Sequence, residues 1–212
     1  TLFPYTTLFR SLAAVRDANV TAFPLCAVAF ITDNIAEQTD QFILVNSTKP
    51  LPKGLVYELL PRTQAALPVA LEKRKFPSYL LNALNTRPSS PLKGLIQTPT
   101  SPGGLIKDNS VLRMLENSIN EGTLYRLDYD QAGEEAMIGV LEAFWGAVAK
   151  VFPDAWGKSP KKSRLMHGAG VISMGLIMDA ITDRHRKKEK VDLATFEADL
   201  RPLRDLCRWT EG

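Results

Sequence analysis

From Leu12 onward the apolar positions fall into blocks whose spacing changes along the chain. Leu12–Asn19 (LAAVRDAN) reads as a short helix, and Phe23–Ile31 (FPLCAVAFI) is a continuous apolar run of strand length, the pattern of a buried strand. Asp33 is placed to cap a helix from Ile35 to about Val45, with Phe42, Leu44 and Val45 toward a core. Asn46–Gly54 (NSTKPLPKG) is a turn-rich connector, after which Leu55–Leu60 starts a helix that Pro61 stops. Ala65–Lys75 and Pro77–Asn85 read as two short helices separated at the Phe76-Pro77 step. Thr86–Gly104 holds four prolines. It is expected to be an exposed loop with a brief strand at Leu95–Gln97, or a boundary between two subdomains.

The C-terminal half keeps a helical period. Asp108–Ile119 carries Val111, Leu112, Leu115 and Ile119 on one stripe, and Glu134–Phe152 repeats the pattern through Met137, Val140, Leu141, Phe144, Val148 and Val151. Ser163–Arg186 is a third helix, closed by the basic run RHRKKEK at Arg184–Lys190, where the helix dipole favours positive charge. Leu193–Trp209 is a fourth, kinked at Pro202. The predicted class is α+β, predominantly helical: the tail of an α/β N-terminal part, then a helical C-terminal part.

Composition narrows this only a little. An apolar content of 45% and a charged content of 23% are those of an ordinary globular protein. No apolar run reaches the roughly 18 residues that suggest a membrane span; Ala169–Ile181, the longest, is broken by Ser173, Gly175 and Asp179. Cys26 and Cys207 are isolated in apolar settings and read as buried free thiols of a cytoplasmic protein, not as a disulfide or a metal site. The net charge of +3 is small, so the distribution of the cations counts more than their total.

Four long strings carry a resemblance: QFILVNSTKPLPKGLVYELLP from Gln41, SPLKGLIQTPTSPGGLIKDNSVLRMLENSI, FWGAVAKVFPDAWG and SRLMHGAGVISMG. With them the chain from Leu12 to Gly212 resembles the DGQHR-domain proteins, in particular the DpdB type, which is similar to the DndB proteins of DNA sulfur modification. The resemblance implies a ParB/sulfiredoxin-like N-terminal part. It also implies a role in bacterial systems that insert 7-deazaguanine bases into DNA or modify its backbone, and that defend against phage. DNA and a transglycosylase-like modification protein are the implied partners, and ATP with Mg the implied cofactors of the intact form. A non-enzymatic DNA-binding or transcription-regulating module is the alternative within the same resemblance.

One departure matters. The signature Asp-Gly-Gln-His/Gln-Arg belongs directly before LAAVRDA, where this chain has Thr7–Ser11. Residues 1–11 (TLFPYTTLFRS) resemble, codon for codon, a translated sequencing adapter and are set aside from the fold; a strand is the other reading of these residues. Both ends are therefore expected to be truncated, with 12–54 a remnant of the α/β part and 55–212 the helical part, either separate from the preceding segment or one continuous domain with it. An Asp-Gly turn ahead of Leu12–Asn19 would present backbone N–H groups and an arginine to phosphate. Without it no catalytic residue of that motif carries over, and neither cofactor nor activity is expected of this fragment.

The remaining candidates each have a plain alternative. Asn46, Ser47, Thr48 and Lys49 suit phosphate or ribose contacts, or form a helix C-cap ended by Pro50. Lys107, Asp108 and Asn109 either line a polar cleft or touch DNA, or else Asp108 or Asn109 is an N-cap. Lys158, Lys161, Lys162 and Arg164 cluster at or before a helix N-terminus, where positive charge opposes the dipole and DNA phosphate would relieve it; a solvated basic loop is the alternative. His167, beside Gly168 and Gly170, reads as a packing residue rather than a catalyst, and the glycines as places of close helix approach. Trp145, Trp156 and Trp209 read as core or edge packing rather than base-stacking platforms. No metal-ligand pattern, Walker loop or nucleophile motif occurs.

Overall fold

A hydrophobic helix buried on nearly every side anchors much of the core. The computed structural model describes residues 32, 34–45, 51–64, 66–187 and 191–210, and residues 34–212 gather into one unit. Among the described residues there are eight α-helices: α1 (Ile35–Val45), α2 (Lys53–Leu59), α3 (Val69–Thr86), α4 (Asp108–Glu121), α5 (Thr123–Tyr129), α6 (Gly133–Val151), α7 (Gly168–Arg184) and α8 (Leu193–Leu200). Short 3₁₀ turns follow α2 at Leu60–Arg62 and α8 at Arg201–Leu203. Two short strands, β1 (Ile96–Gln97) and β2 (Ile106–Lys107), pair in parallel, so the class is α+β with helix predominating. Among the described residues no helix is long and apolar enough to cross a membrane.

Helix α6 buries Met137, Ile138, Val140, Leu141, Phe144, Trp145, Ala147, Val148 and Val151, which is most of its circumference, and a helix apolar nearly all round must be enclosed. Phe144 sits edge-to-face against Trp145 at 5.5 Å and against Phe196 of α8 at 5.3 Å. Helices α4 and α7 pack side by side in parallel. Gly168 meets Ser110, Gly175 meets Met114, and Asp179 meets Ser118, each step advancing along both helices in the same sense.

The segment joining α3 to α4 is tied down rather than loose. The Asn85 side chain accepts from Ile96 N–H and donates to Ile96 C=O, both at 3.1 Å, and so acts as a strand partner for β1. Glu58 of α2 accepts the hydroxyl of Thr98 at 3.0 Å, and both the N–H and the hydroxyl of Thr100. At Gly104 a Cβ would lie 2.2 Å from Gln97 N, so only glycine lets the loop fold back on β1. Since 34–212 is one unit, Thr86–Gly104 is a connection within it and not a subdomain boundary.

Several sequence expectations need correction. The helices expected at Ala65–Lys75 and Pro77–Asn85 are one, α3, which runs through Pro77. An interior proline costs about 3 kcal/mol, and burial of Leu80, Leu81 and Leu84 on the following turns, each worth roughly 1.5–3 kcal/mol, offsets it. Helix α2 begins at Lys53, ahead of the expected Leu55. The helix expected from Ser163 begins at Gly168, and the one expected to Trp209 ends at Leu200. Helix α5 and strand β2 were not expected at all. The basic end of α7 is partly neutralised, because Arg184 and His185 both reach Asp199 of α8, at 3.2 and 3.0 Å. Leu12–Asn19, Phe23–Ile31, Asp33, Cys26 and Asn46–Lys49 lie outside the described residues.

Candidate functional site

The basic segment follows the end of α6. The chain turns at Phe152, whose C=O accepts the N–H groups of Ala155 and Trp156 at 3.0 and 2.9 Å. It turns again at Gly157, with φ of 70°, a conformation glycine adopts freely. Ser159 C=O then accepts from Lys162 and Ser163, at 2.8 and 3.0 Å. Ser163, Leu165 and Met166 are buried, whereas Lys158, Lys161, Lys162 and Arg164 are exposed. The cations therefore stand on a loop anchored by buried neighbours. None of the four side chains forms an ion pair or hydrogen bond with the described residues.

The loop leads into the N-terminus of α7. His167 is exposed and occupies the N-cap position, its Nδ1 accepting the Ala169 N–H at 3.3 Å. This corrects its reading as a packing residue: an imidazole lone pair satisfies one of the orphan donors of the helix, as a Ser or Asp cap would. The four cations precede the helix rather than occupy its first turn, so the dipole opposes them less directly than the sequence suggests. Close approach explains the glycines. A Cβ at Gly170 would lie 2.1 Å from Arg164 O and 2.7 Å from Leu165 O, and one at Gly168 would lie 2.5 Å from Ser110 Oγ.

A second feature lies at the N-terminus of α4. The helix starts at Asp108, which makes Lys107 the N-cap residue, with no side-chain cap, and corrects the assignment of that role to Asp108 or Asn109. Asp108 Oδ1 accepts the Asn109 N–H at 2.6 Å, and its carboxylate favours the positive end of the dipole. Lys107 points to solvent. Asp108 and Asn109 line a groove of about 530 Å³ together with Lys53, Tyr57 and Arg74. Arg74 is engaged, stacked 4.5 Å over the Tyr57 ring and paired with Glu116 at 2.8 Å.

The sequence did not flag a second groove, of about 360 Å³, between the end of α6 and the turn after the C-terminal 3₁₀ helix. Phe152, Ala155, Cys207 and Trp209 supply its apolar surface, and Arg204, Arg208, Asp154 and Asp205 its charge. Cys207 is half-buried there, not enclosed as expected. Trp209 stands edge-to-face with Phe152 at 6.0 Å, Trp156 is half-buried against Trp145 at 6.1 Å, and Trp145 alone of the three is fully buried. The Arg164 N–H donates to Trp209 C=O at 2.8 Å, so the basic loop and this groove are fastened edge to edge. The signal in the sequence is the pair Arg204 and Arg208 beside Trp209, which an expected helix end concealed.

Electrostatic perturbation lies elsewhere. Arg87 at the end of α3 donates to Glu135 of α6 through both terminal guanidinium nitrogens, Nη1 at 2.8 Å and Nη2. That contact holds the Glu135 carboxyl below the usual carboxylate range, and a hydrogen bond to Glu134 raises the Tyr79 hydroxyl. Neither pair joins the grooves. Among the described residues no three His, Cys, Asp or Glu side chains are placed to hold a metal. No family model matches this chain, and no match is found among curated proteins or solved structures.

Proposed function

We propose that this chain binds DNA as a component of a bacterial DNA-modification and phage-defence system of the DGQHR, DpdB type, with Lys158, Lys161, Lys162 and Arg164 on the phosphate backbone. The observation that carries the reading is the exposure of these four cations on an anchored loop, without a carboxylate partner among the described residues. An unpaired surface cation gains little from the fold, whereas each one that meets a phosphate releases a condensed counterion. The four strings of resemblance supply the biological setting, including a transglycosylase-like partner and, in a chain carrying the signature loop, ATP and Mg. The non-enzymatic module is the same surface without nucleotide turnover.

Fluorescence anisotropy with a labelled duplex across 50–200 mM salt tests this. Four phosphate contacts predict a slope of log K against log salt of about −3 to −4, and so a loss of about 10²-fold in affinity over that range. The triple variant K158E/K161E/K162E should bind at least tenfold more weakly at the low-salt end. No binding, or binding that neither salt nor the triple variant alters, refutes the proposal. Nucleotide hydrolysis measured with and without DNA separates the enzymatic form from the regulatory one.

A further inference from the structure

The basic loop and the C-terminal groove differ in charge and in surface, and they touch. The loop carries four cations and no anion between Lys158 and Arg164. The half-buried Trp209 and the edge of the buried Phe152 line the groove, and its two arginines, Arg204 and Arg208, are matched by two aspartates, Asp154 and Asp205, so its formal charge cancels. Arg204 and Asp154 face each other at 4.0 Å. A polyanion therefore has reason to follow the loop and none to enter the groove. A neutral planar group attached to that polyanion has the opposite preference.

Those are the two halves of a nucleotide in an unpaired strand. We propose that the loop and groove together form a single-stranded DNA site: the phosphates lie along Lys158–Arg164, and one unstacked base enters the slot beside Trp209. The inference rests on the DNA-binding reading above and narrows its ligand. The groove volume of about 360 Å³ falls within the roughly 300–1,000 Å³ of small-ligand pockets. The hydrogen bond from Arg164 N–H to Trp209 C=O sets backbone site and base site side by side. An aromatic side chain next to a cationic track is how proteins hold single strands without reading sequence, since every base has a π-face. A duplex keeps its bases stacked inside and can use only the track.

The test compares an oligo(dT) strand with a closed dumbbell duplex of equal nucleotide number, at one salt concentration, on the 212-residue chain. The single strand should bind about tenfold more tightly or better, the range that one stacked base supplies. Trp209→Ala, shown by circular dichroism to keep its helix content, should remove that advantage and leave duplex affinity unchanged. The native chain provides a second readout that needs no variant. Cys207 lies in the groove, so oligo(dT) should slow its alkylation by a maleimide, scored on the Cys207 peptide, and the duplex should not. Equal affinity for the two polymers, equal protection of Cys207 by both, or an undiminished preference in a folded Trp209→Ala chain overturns the inference while leaving the DNA-binding reading in place. Absence of salt-dependent binding to either polymer overturns both.

Discussion

Asp179 of α7 caps a helix that is not its own. Helix α5 starts at Thr123, directly after Gly122, which has no side chain to offer its first N–H groups. Asp179 Oδ1 accepts the Thr123 N–H at 2.8 Å and the Ser118 hydroxyl at 2.7 Å, and Ser118 Oγ in turn accepts the Leu124 N–H at 3.2 Å. Ser118, Thr123 and Leu124 are 0%, 1% and 0% exposed, so no bulk water replaces a lost partner directly. A hydrogen bond to an ionised acceptor is worth about 1.5–3 kcal/mol net. Two such bonds, less some relief from water entering the vacated space, give an expected loss of about 3–4 kcal/mol for Asp179→Ala. Asp179→Asn keeps an acceptor oxygen and should lose about half as much. For a domain of this size each kcal/mol lowers Tm by about 2–4 °C. Urea unfolding followed by far-UV circular dichroism gives the free energy directly, with an unchanged m-value showing that only stability moved. A loss below about 1 kcal/mol for Asp179→Ala would refute the capping argument. A loss for Asp179→Asn equal to that for Asp179→Ala would show that charge, not acceptor geometry, holds the three helices together.

Gly170→Ala gains up to about 1 kcal/mol in helix propensity, but its Cβ meets two backbone carbonyls. Overpacking against atoms that cannot rotate away should win, for a net loss of about 1–3 kcal/mol in thermal unfolding; an unchanged or raised Tm counts against the close approach. Asn85→Ala removes both side-chain bonds to Ile96, which is fully buried, and should cost about 1–3 kcal/mol by denaturant unfolding; a cost within error would mean that β1 stands without the amide. Arg87 depresses the folded-state pKa of Glu135, so the pair's stabilisation is present above the ordinary value of 4.5 and is lost as pH falls through the folded value. The Tm difference between the native chain and Glu135→Gln should therefore shrink from pH 7 to pH 3; a difference constant over that range contradicts the pairing.

Where apolar spacing is strong, the chain announces its helices. Val111, Leu112 and Leu115 mark α4, and Met137 through Val151 mark α6, because one buried face repeats every three to four residues. Signals that depend on a partner elsewhere misled or were silent. Pro77 reads as a break but lies within α3, because the buried leucines beyond it and their packing on α4 outweigh one lost backbone bond. Ser163–His167 reads as helix but is loop, since Ser163, Leu165 and Met166 are buried by tertiary contacts rather than along a helical stripe. Helix α5, seven residues long, is too short to nucleate alone and exists where Asp179 caps it.

The candidate site divides in the same way. Sequence alone placed Lys158, Lys161, Lys162 and Arg164 together, because neighbours in a short loop stay neighbours in space, and it grouped Lys107, Asp108 and Asn109 for the same reason. Only the tertiary structure decided that the four cations lack acidic partners among the described residues, that Asp108 and Asn109 share a groove with Tyr57 and Arg74, and that Trp209 lies one hydrogen bond from Arg164. Local pattern records what a residue's own element requires. Contacts between residues far apart in sequence depend on how the helices pack, and that packing is fixed by the combined burial of all the apolar faces at once.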